Sequence, residues 1–514
     1  MLLTLLACGP ATIDVDDTEP ADTDTDTDTD SDTDTDTEVI VDGGCDPGAA
    51  AVYGVEGEEL SFEPACLGDG TATSFSITAL PDGARFDGTR FTWTPGLADA
   101  GHVEVVVSSA GDHPDAGVVD VWVADAWDNP ANERVSPRDY TYEYGLPVMH
   151  LEVPTSTNDY DDVETTLLYM GKPYAIELKY RGAASAYYPK RSYTLSFSPD
   201  DEFEDEDEGF DNRRKVVLTS LFDDNSYLRQ LLCYEMWNAL APERHQIQVY
   251  LSVLYVNGEY VGLTLVSDHI DGEYWEDWGY YEDASLYKAV DHQANFYDNY
   301  GGTPKSWWGA GYEKQEGDPD DWNDLYDLVQ FVATSDDATF ESLVEDYVVI
   351  EEIADWWILV RFTEADDSGG KNAYLYYDPL TMIFHHAPWD FNHALGQTWQ
   401  TEREASSTDY DFYWSNNLFY RLIESPTYGP VMKARMAEKL QGTLAAAAWT
   451  GRVDALLARA EPSAERDWAK WEDSYRSYGG WYWRTDWTTH DEEVAYLKTW
   501  ITERSGYMNT WFPG

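Results

Sequence analysis

The chain carries 98 acidic and 32 basic side chains in 514 residues, a formal net charge of −66 at neutral pH, with 43% hydrophobic residues and 22 tryptophans. Its length exceeds what one ordinary core organises, so two or more units are expected, and the apolar content suffices to bury them. The charge excludes a general affinity for nucleic acid, whose phosphates would be repelled rather than neutralised, and reads first as a strongly solvated surface.

The N-terminus begins "MLLTLLACGP", in which Leu5-Leu6-Ala7-Cys8 looks like a bacterial lipobox, with cleavage before Cys8 and a lipid on that cysteine. The basic residues usual ahead of such an apolar stretch are missing. Residues 1–8 are therefore expected to be a lipoprotein signal. The implied location is extracytoplasmic, held to a membrane by the lipid only. The first 44 residues hold fourteen acidic and no basic side chains, including "DTDTDTDTDSDTDTDTE". Such a run repels itself and cannot build a core, so 9–44 is expected to be a disordered tether. It lacks the central glycine and closing glutamate of an EF-hand loop.

Residues 45–125 alternate short apolar segments with turn clusters ("SFSITAL", "RFTWTPG", "HVEVVVSSAG", "VVDVWVADA"), the pattern of a small β-sandwich. This stretch resembles bacterial Ig-like (cadherin-like) repeats through Leu80, Pro81, Gly83, Phe86, Trp93, Pro95 and Gly101, with His102 in place of the usual aromatic. The resemblance implies a spacer or adhesion module. Cys45 and Cys66 lie near its start, and a disulfide between them suits an exported protein. Cys233 falls in the apolar helical pattern "LRQLLCYEMWNAL" and is expected to be a buried thiol.

From about 135 to 514 strands come first ("VMHLEV", "YAIELKYRG", "SYTLSFS", "KVVLTSL"), then the helical "NSYLRQLLCYEMWNAL", then two strands joined through Asn257-Gly258. After 320 helices dominate. Sheet first and helices second describes an α+β fold with a cleft between the parts. No run beyond the N-terminus is long and apolar enough to span a bilayer.

The chemistry concentrates in "EADDSGGKNAYLYYDPLTMIFHHAPWDFNHALG". A hairpin running from Asn372 to Asp390 brings its ends together and gathers Asp367, Asn372 and Asp390 around one point. Two carboxylates and an amide oxygen are hard ligands, suited to Mg²⁺ or Mn²⁺ beside phosphates rather than to zinc. His385 and His386 are neighbours on a predicted strand and point to opposite faces, so they cannot readily share a metal. His393 lies beyond the aspartate. A histidine-based metal hydrolase is thus the disfavoured reading.

Asp-x-x-x-x-Asn followed by a hairpin and a second aspartate is the arrangement of protein kinases. The chain from roughly 145 to 510 resembles the spore coat protein H (CotH) kinase family through seven blocks in family order. They are "KYRGAASAYYPKRSYTLSF", "DDNSYLRQLLCYEMWNALAP", "VYLSVLYVNGEYVGLTLVSDHID", "SLYK", "YEKQEGDPDDWNDLYDLVQFV", the Asp367–Asp390 unit, and "EEVAYLKTWITERSGYM". The resemblance implies a divergent, two-lobed protein-kinase-like fold that binds ATP with Mg²⁺ or Mn²⁺ and phosphorylates Ser-containing coat or surface proteins. By position, Asp367 would be the catalytic acid, and Asn372 and Asp390 would be metal ligands. Lys190 would hold nucleotide phosphates with help from Arg181 and Ser185, and Asp268 would stand where the family has an acidic residue. The chain departs from the family in three places. Asn392 replaces a second carboxylate, Ala183 and Ala184 stand for a polar pair, and Arg191 replaces a lysine. An inactive kinase-like surface protein that adheres or binds is the competing expectation.

Overall fold

The computed structural model describes residues 45–514 apart from 68–69, 112–113, 133, 184, 482–487 and 514. Cys8, the residue 9–44 tether and Ala184 lie outside the described residues. Cys45 and Cys66 are joined by a disulfide. The strands Val52–Val55, Ser74–Ile77, Gly101–Ala110 and Ala116–Ala124 form one sheet, and Leu60–Phe62, Arg85–Phe86 and Phe91–Trp93 form another. Between them Phe62, Phe91, Trp93, Val105, Val107, Val119 and Val121 make a separate core. The Trp93 indole donates to the Asp82 carbonyl at 3.1 Å.

Next come seven strands: β1 (Leu146–Leu151), β2 (Val163–Tyr169), β3 (Lys172–Tyr180), β4 (Tyr193–Phe197), β5 (Lys215–Thr219), β6 (Val249–Val256) and β7 (Glu259–Asp268). They pair in the order β1-β2-β3-β4-β5-β7-β6, and a parallel pairing of β6 with β1 closes the barrel. Met149 and Leu151 face its interior beside Tyr169, Leu195 and Val266. Val148, alternating with them, faces outward into the larger core. Asn257 and Gly258 join β6 to β7 with φ of 52° and 76°, a two-residue turn whose backbone twist matches the hairpin.

A second sheet contains β8 (Leu286–Ala289), β9 (Tyr312–Glu316), β10 (Ala373–Asp378) and β11 (Ile383–Pro388) in the order β9-β8-β10-β11. Four helices matter to the site: α1 (Arg229–Leu240), α2 (Ile350–Thr363), α3 (Ala446–Ser477) and α4 (His490–Trp511). α1 packs on β6 and on α2, α2 on β11, and α3 on β7 and α4. Cys233 on α1 is a buried free thiol. No helix among the described residues is long and apolar enough to cross a membrane.

α3 is fastened to the barrel by a buried charge. The Asp467 carboxylate accepts from the Leu263 amide at 2.7 Å and lies 2.5 Å from the Lys190 ammonium, with both side chains sealed from solvent. Gly262 makes room for this: its φ is +111°, and a Cβ there would stand 2.0 Å from an Asp467 carboxylate oxygen. Removing one partner of such a pair strands the other charge. Asp467→Ala should therefore lower unfolding free energy by about 3–5 kcal/mol, whereas a joint Lys190→Met, Asp467→Leu replacement should cost clearly less. Denaturant titration of the three proteins checks this.

Candidate functional site

The loop after α2 is fixed before any functional group is placed. The Trp356 indole donates to the Ser368 carbonyl at 3.0 Å, and the Ser368 hydroxyl donates to the Asp390 carbonyl at 3.0 Å. The Asn416 amide donates to the Gly369 carbonyl at 2.9 Å. A Cβ on Gly370 would lie 2.2 Å from the Ser415 carbonyl, so this close approach requires glycine. β10 and β11 then pair with Ala373 opposite Pro388, and the Trp389 amide donates to the Asn372 carbonyl at 3.1 Å. Asn372 and Asp390 both take left-handed backbone, φ 55° and 60°, which Asn and Asp tolerate better than most residues.

This brings the three sequence-predicted groups together at the mouth of the hairpin. The Asn372 amide nitrogen donates to an Asp367 carboxylate oxygen at 3.2 Å. Lys371 sits 2.8 Å from the other Asp367 oxygen, and His292 lies 3.8 Å from it. The Asp390 amide donates to the Tyr234 hydroxyl of α1 at 3.3 Å. Burial raises the Asp390 carboxyl above its usual range, and the charges of Asp367 and Asp223 add to that against His393 and Arg181. Burial, rather than an excess of nearby negative charge, is thus the main influence that disfavours the charged form of Asp390.

Two cations face it. The Arg181 guanidinium lies over the Trp389 ring at 4.9 Å. Lys288, on β8 directly opposite Tyr374, holds its ammonium 5.6 Å from the Tyr374 ring and 5.7 Å from the Trp389 ring. Burial and the Arg181 charge push Lys288 down to about 8, while Asp390 and Glu313 pull the other way. Lys288 lies in "SLYK" and is not among the residues that the family resemblance singles out. A lysine within the otherwise buried run Leu286–Ala289 was the available signal.

Of the other residues matched to the family, Lys190 and Asp268 are engaged in buried pairs. Lys190 is committed to Asp467, 2.5 Å away and equally sealed from solvent. Asp268 is buried against Arg213 at 2.8 Å and accepts the Gln248 amide at 2.7 Å. Ser185 opens a short 3₁₀ turn next to Gly182, whose φ of +101° shapes the bend after Arg181.

The histidines divide between two environments. The Glu352 carboxylate accepts from His385 at 3.0 Å and from the His386 backbone amide at 2.7 Å, and the His386 ring stacks on Trp356 at 4.1 Å. His393 instead meets Asp223 at 3.3 Å. Burial opposes its charge, but Asp223, with Asp390 and Asp367 behind it, raises its pKa above the ordinary histidine value. No cluster of three or more His, Cys, Asp or Glu among the described residues is set to hold a metal by itself. The oxygen donors Asn372 and Asp390 suit a hard divalent ion that brings phosphate ligands of its own.

The CotH kinase protein family model matches residues 178–508, and the chain belongs to that family. It is similar to the inner spore coat protein H of Bacillus subtilis (strain 168), 25% identical over 353 residues that cover 68% of this chain and 91% of that protein. Among solved structures, the endo-fucoidan hydrolases MfFcnA4 and MfFcnA9 from glycoside hydrolase family 107 align at 16% and 13% identity. They cover 30% of this chain and 25% and 32% of theirs, with a TM-score of 0.13 each, too low to bear on fold or reaction.

The Lys288 environment gives a direct expectation. Its amine is protonated below about pH 8 and neutral above. Asp390→Asn should move that midpoint down, because it removes a carboxylate that favours the ammonium, and Arg181→Ala should move it up. Pulsed amine labelling across pH 6–11, read on the peptide containing Lys288, measures both shifts.

Proposed function

We propose that this chain is an ATP-dependent protein kinase that phosphorylates Ser or Thr of proteins outside the cytoplasm. The observation that carries the reading is the convergence of Asp367, Asn372 and Asp390 at one hairpin mouth, beside the cations Arg181 and Lys288. Membership of the CotH kinase protein family supports it.

In this reading the γ-phosphate faces Lys371 and Asp367. The Asp367 carboxylate orients the acceptor hydroxyl and takes its proton as the oxygen attacks the γ-phosphorus. The bond between that phosphorus and the bridging oxygen to the β-phosphate breaks, and ADP leaves with the electron pair. Mg²⁺ or Mn²⁺ bound with the nucleotide would neutralise phosphate charge, and Asn372 and Asp390 are the residues that would hold it. Arg181 and Lys288 supply positive potential in a protein that has little of it, and Lys371 screens Asp367 from incoming phosphate. The printed name of the Bacillus relative supports a coat or surface protein as acceptor. The lipobox at Cys8 supports a lipid anchor.

One observation favours the alternative of an inactive, kinase-like surface protein: Lys190, the lysine expected to hold phosphates, is sealed against Asp467. Labelled γ-phosphate transfer from ATP decides between the readings. The parent protein should transfer phosphate to a Ser-rich acceptor only with Mg²⁺ or Mn²⁺. Asp367→Ala and Asp390→Ala should each lower transfer by roughly two orders of magnitude or more. A parent that neither transfers phosphate nor binds nucleotide overturns the kinase reading.

A further inference from the structure

Asp223 lies in the segment between β5 and α1 and is 3% exposed. Its carboxylate oxygen Oδ2 gathers donors from two separate parts of the chain. The Tyr188 hydroxyl donates to it at 3.2 Å from the turn that carries Arg181 and Ser185. The Asn392 amide nitrogen meets it at 2.5 Å and His393 at 3.3 Å, both from the loop that carries Asp390. The Asp223 backbone carbonyl accepts from the Gln397 amide at 2.9 Å, further along that loop. One buried residue therefore ties the turn holding a candidate phosphate cation to the loop holding a candidate metal ligand.

We propose that Asp223 is a positioning residue, which holds the Arg181 turn and the Asp390 loop in the register that a metal–nucleotide complex requires. The inference rests on the kinase reading and extends it to a residue outside the Asp367–Asp390 unit. It also explains the amide at 392. A carboxylate there would face the Asp223 carboxylate at 2.5 Å with no proton between them. An amide offers the donor that the buried acid needs. Positions 223 and 392 thus form one complementary pair, in which a single negative charge is required and either position can hold it.

A charge exchange tests this. Asp223→Asn deprives the donors of a shared anion, and Asn392→Asp sets two carboxylates against each other. Each single variant should raise the KM for Mg·ATP about tenfold or more, the usual scale for losing a group that orients a ligand-bearing residue. The double variant Asp223→Asn, Asn392→Asp should return to within about threefold of the parent, because the two changes are coupled through one contact. Tyr188→Phe removes one tie while keeping the ring, and should raise the same KM with little change in Tm. Titration of Mg·ATP binding and of phosphate transfer, with Tm recorded for every variant, reads the result. The proposal is overturned if Asp223→Asn folds and saturates with Mg·ATP as the parent does, or if the folded double variant is no better than either single one. A parent that binds no Mg·ATP instead sinks the kinase reading on which the proposal stands, and is told apart by the parent titration alone.

Discussion

Arg229 has no exposed surface, and a guanidinium so placed is compatible with folding only if its charge is met where it lies. Asp224 and Glu493 meet it, each at 2.6 Å. Glu493 in turn accepts from the Thr488 hydroxyl at 2.9 Å and pairs with Arg403 at 3.1 Å. The first turn of α1 is thereby locked to the start of α4, 264 residues later. Asp224 also accepts the Arg229 amide at 2.9 Å and the Ser226 amide at 3.0 Å, standing in for a cap that Leu228 at the helix start cannot provide. With Asp224 turned into this triad, its neighbour Asp223 is directed to the opposite purpose, toward Asn392 and His393. The adjacent acids of "FDDNSYLR" thus divide between holding the fold and holding the site.

The same economy governs the other cations. Only 32 basic side chains serve the whole protein, and several are enclosed. Lys190 is paired with Asp467, Arg504 with Glu364, and Arg466 with Glu143. Each joins distant segments, since one missing partner would leave a buried charge uncompensated. What remains outside is overwhelmingly acidic. Positive potential for an anionic ligand must then be local, and Arg181, Lys288 and Lys371 around Asp390 and Asp367 create it. Lys288 is held partly desolvated over two aromatic rings, so its charge acts through a medium that screens it weakly.

What was legible in the sequence was local. Asn257-Gly258 announced its hairpin because few residue pairs accept positive φ twice in succession. The Asn372–Asp390 hairpin followed from two apolar runs around "DPLT", and its closure is what brings Asp367 and Asn372 toward Asp390. The opposed directions of His385 and His386 followed from strand alternation, and the rings meet different neighbours: His385 meets Glu352 and Tyr280, whereas His386 packs on Trp356 and Trp237. What escaped was non-local. Barrel closure depends on β1 pairing with β6 across some hundred residues of intervening chain, which no periodicity records. Lys190 looked like a ligand-facing lysine because its partner, Asp467, is 277 positions away. Lys288 sat in a four-residue block too short to display a face.

The amide at 392 shows how far this non-locality reaches into function. Along the sequence, Asn392 is a carboxylate missing from the family pattern, and a missing acid beside Asp390 weakens the case for activity. In space, Asp223 returns a carboxylate to the same place from a segment 169 residues earlier, and the Asn392 amide is the donor that allows it to be buried there. The local charge is relocated rather than lost. Lys190 presents the converse: the residue expected by position is present, but its charge is spent on Asp467, and the cation near Asp390 comes from β8 instead. Neither a residue retained nor a residue replaced decides by itself what this site can bind. The decision lies with which charges the buried pairs leave to the site, and those are Asp367 and Asp390 with the cations Lys371, Arg181 and Lys288.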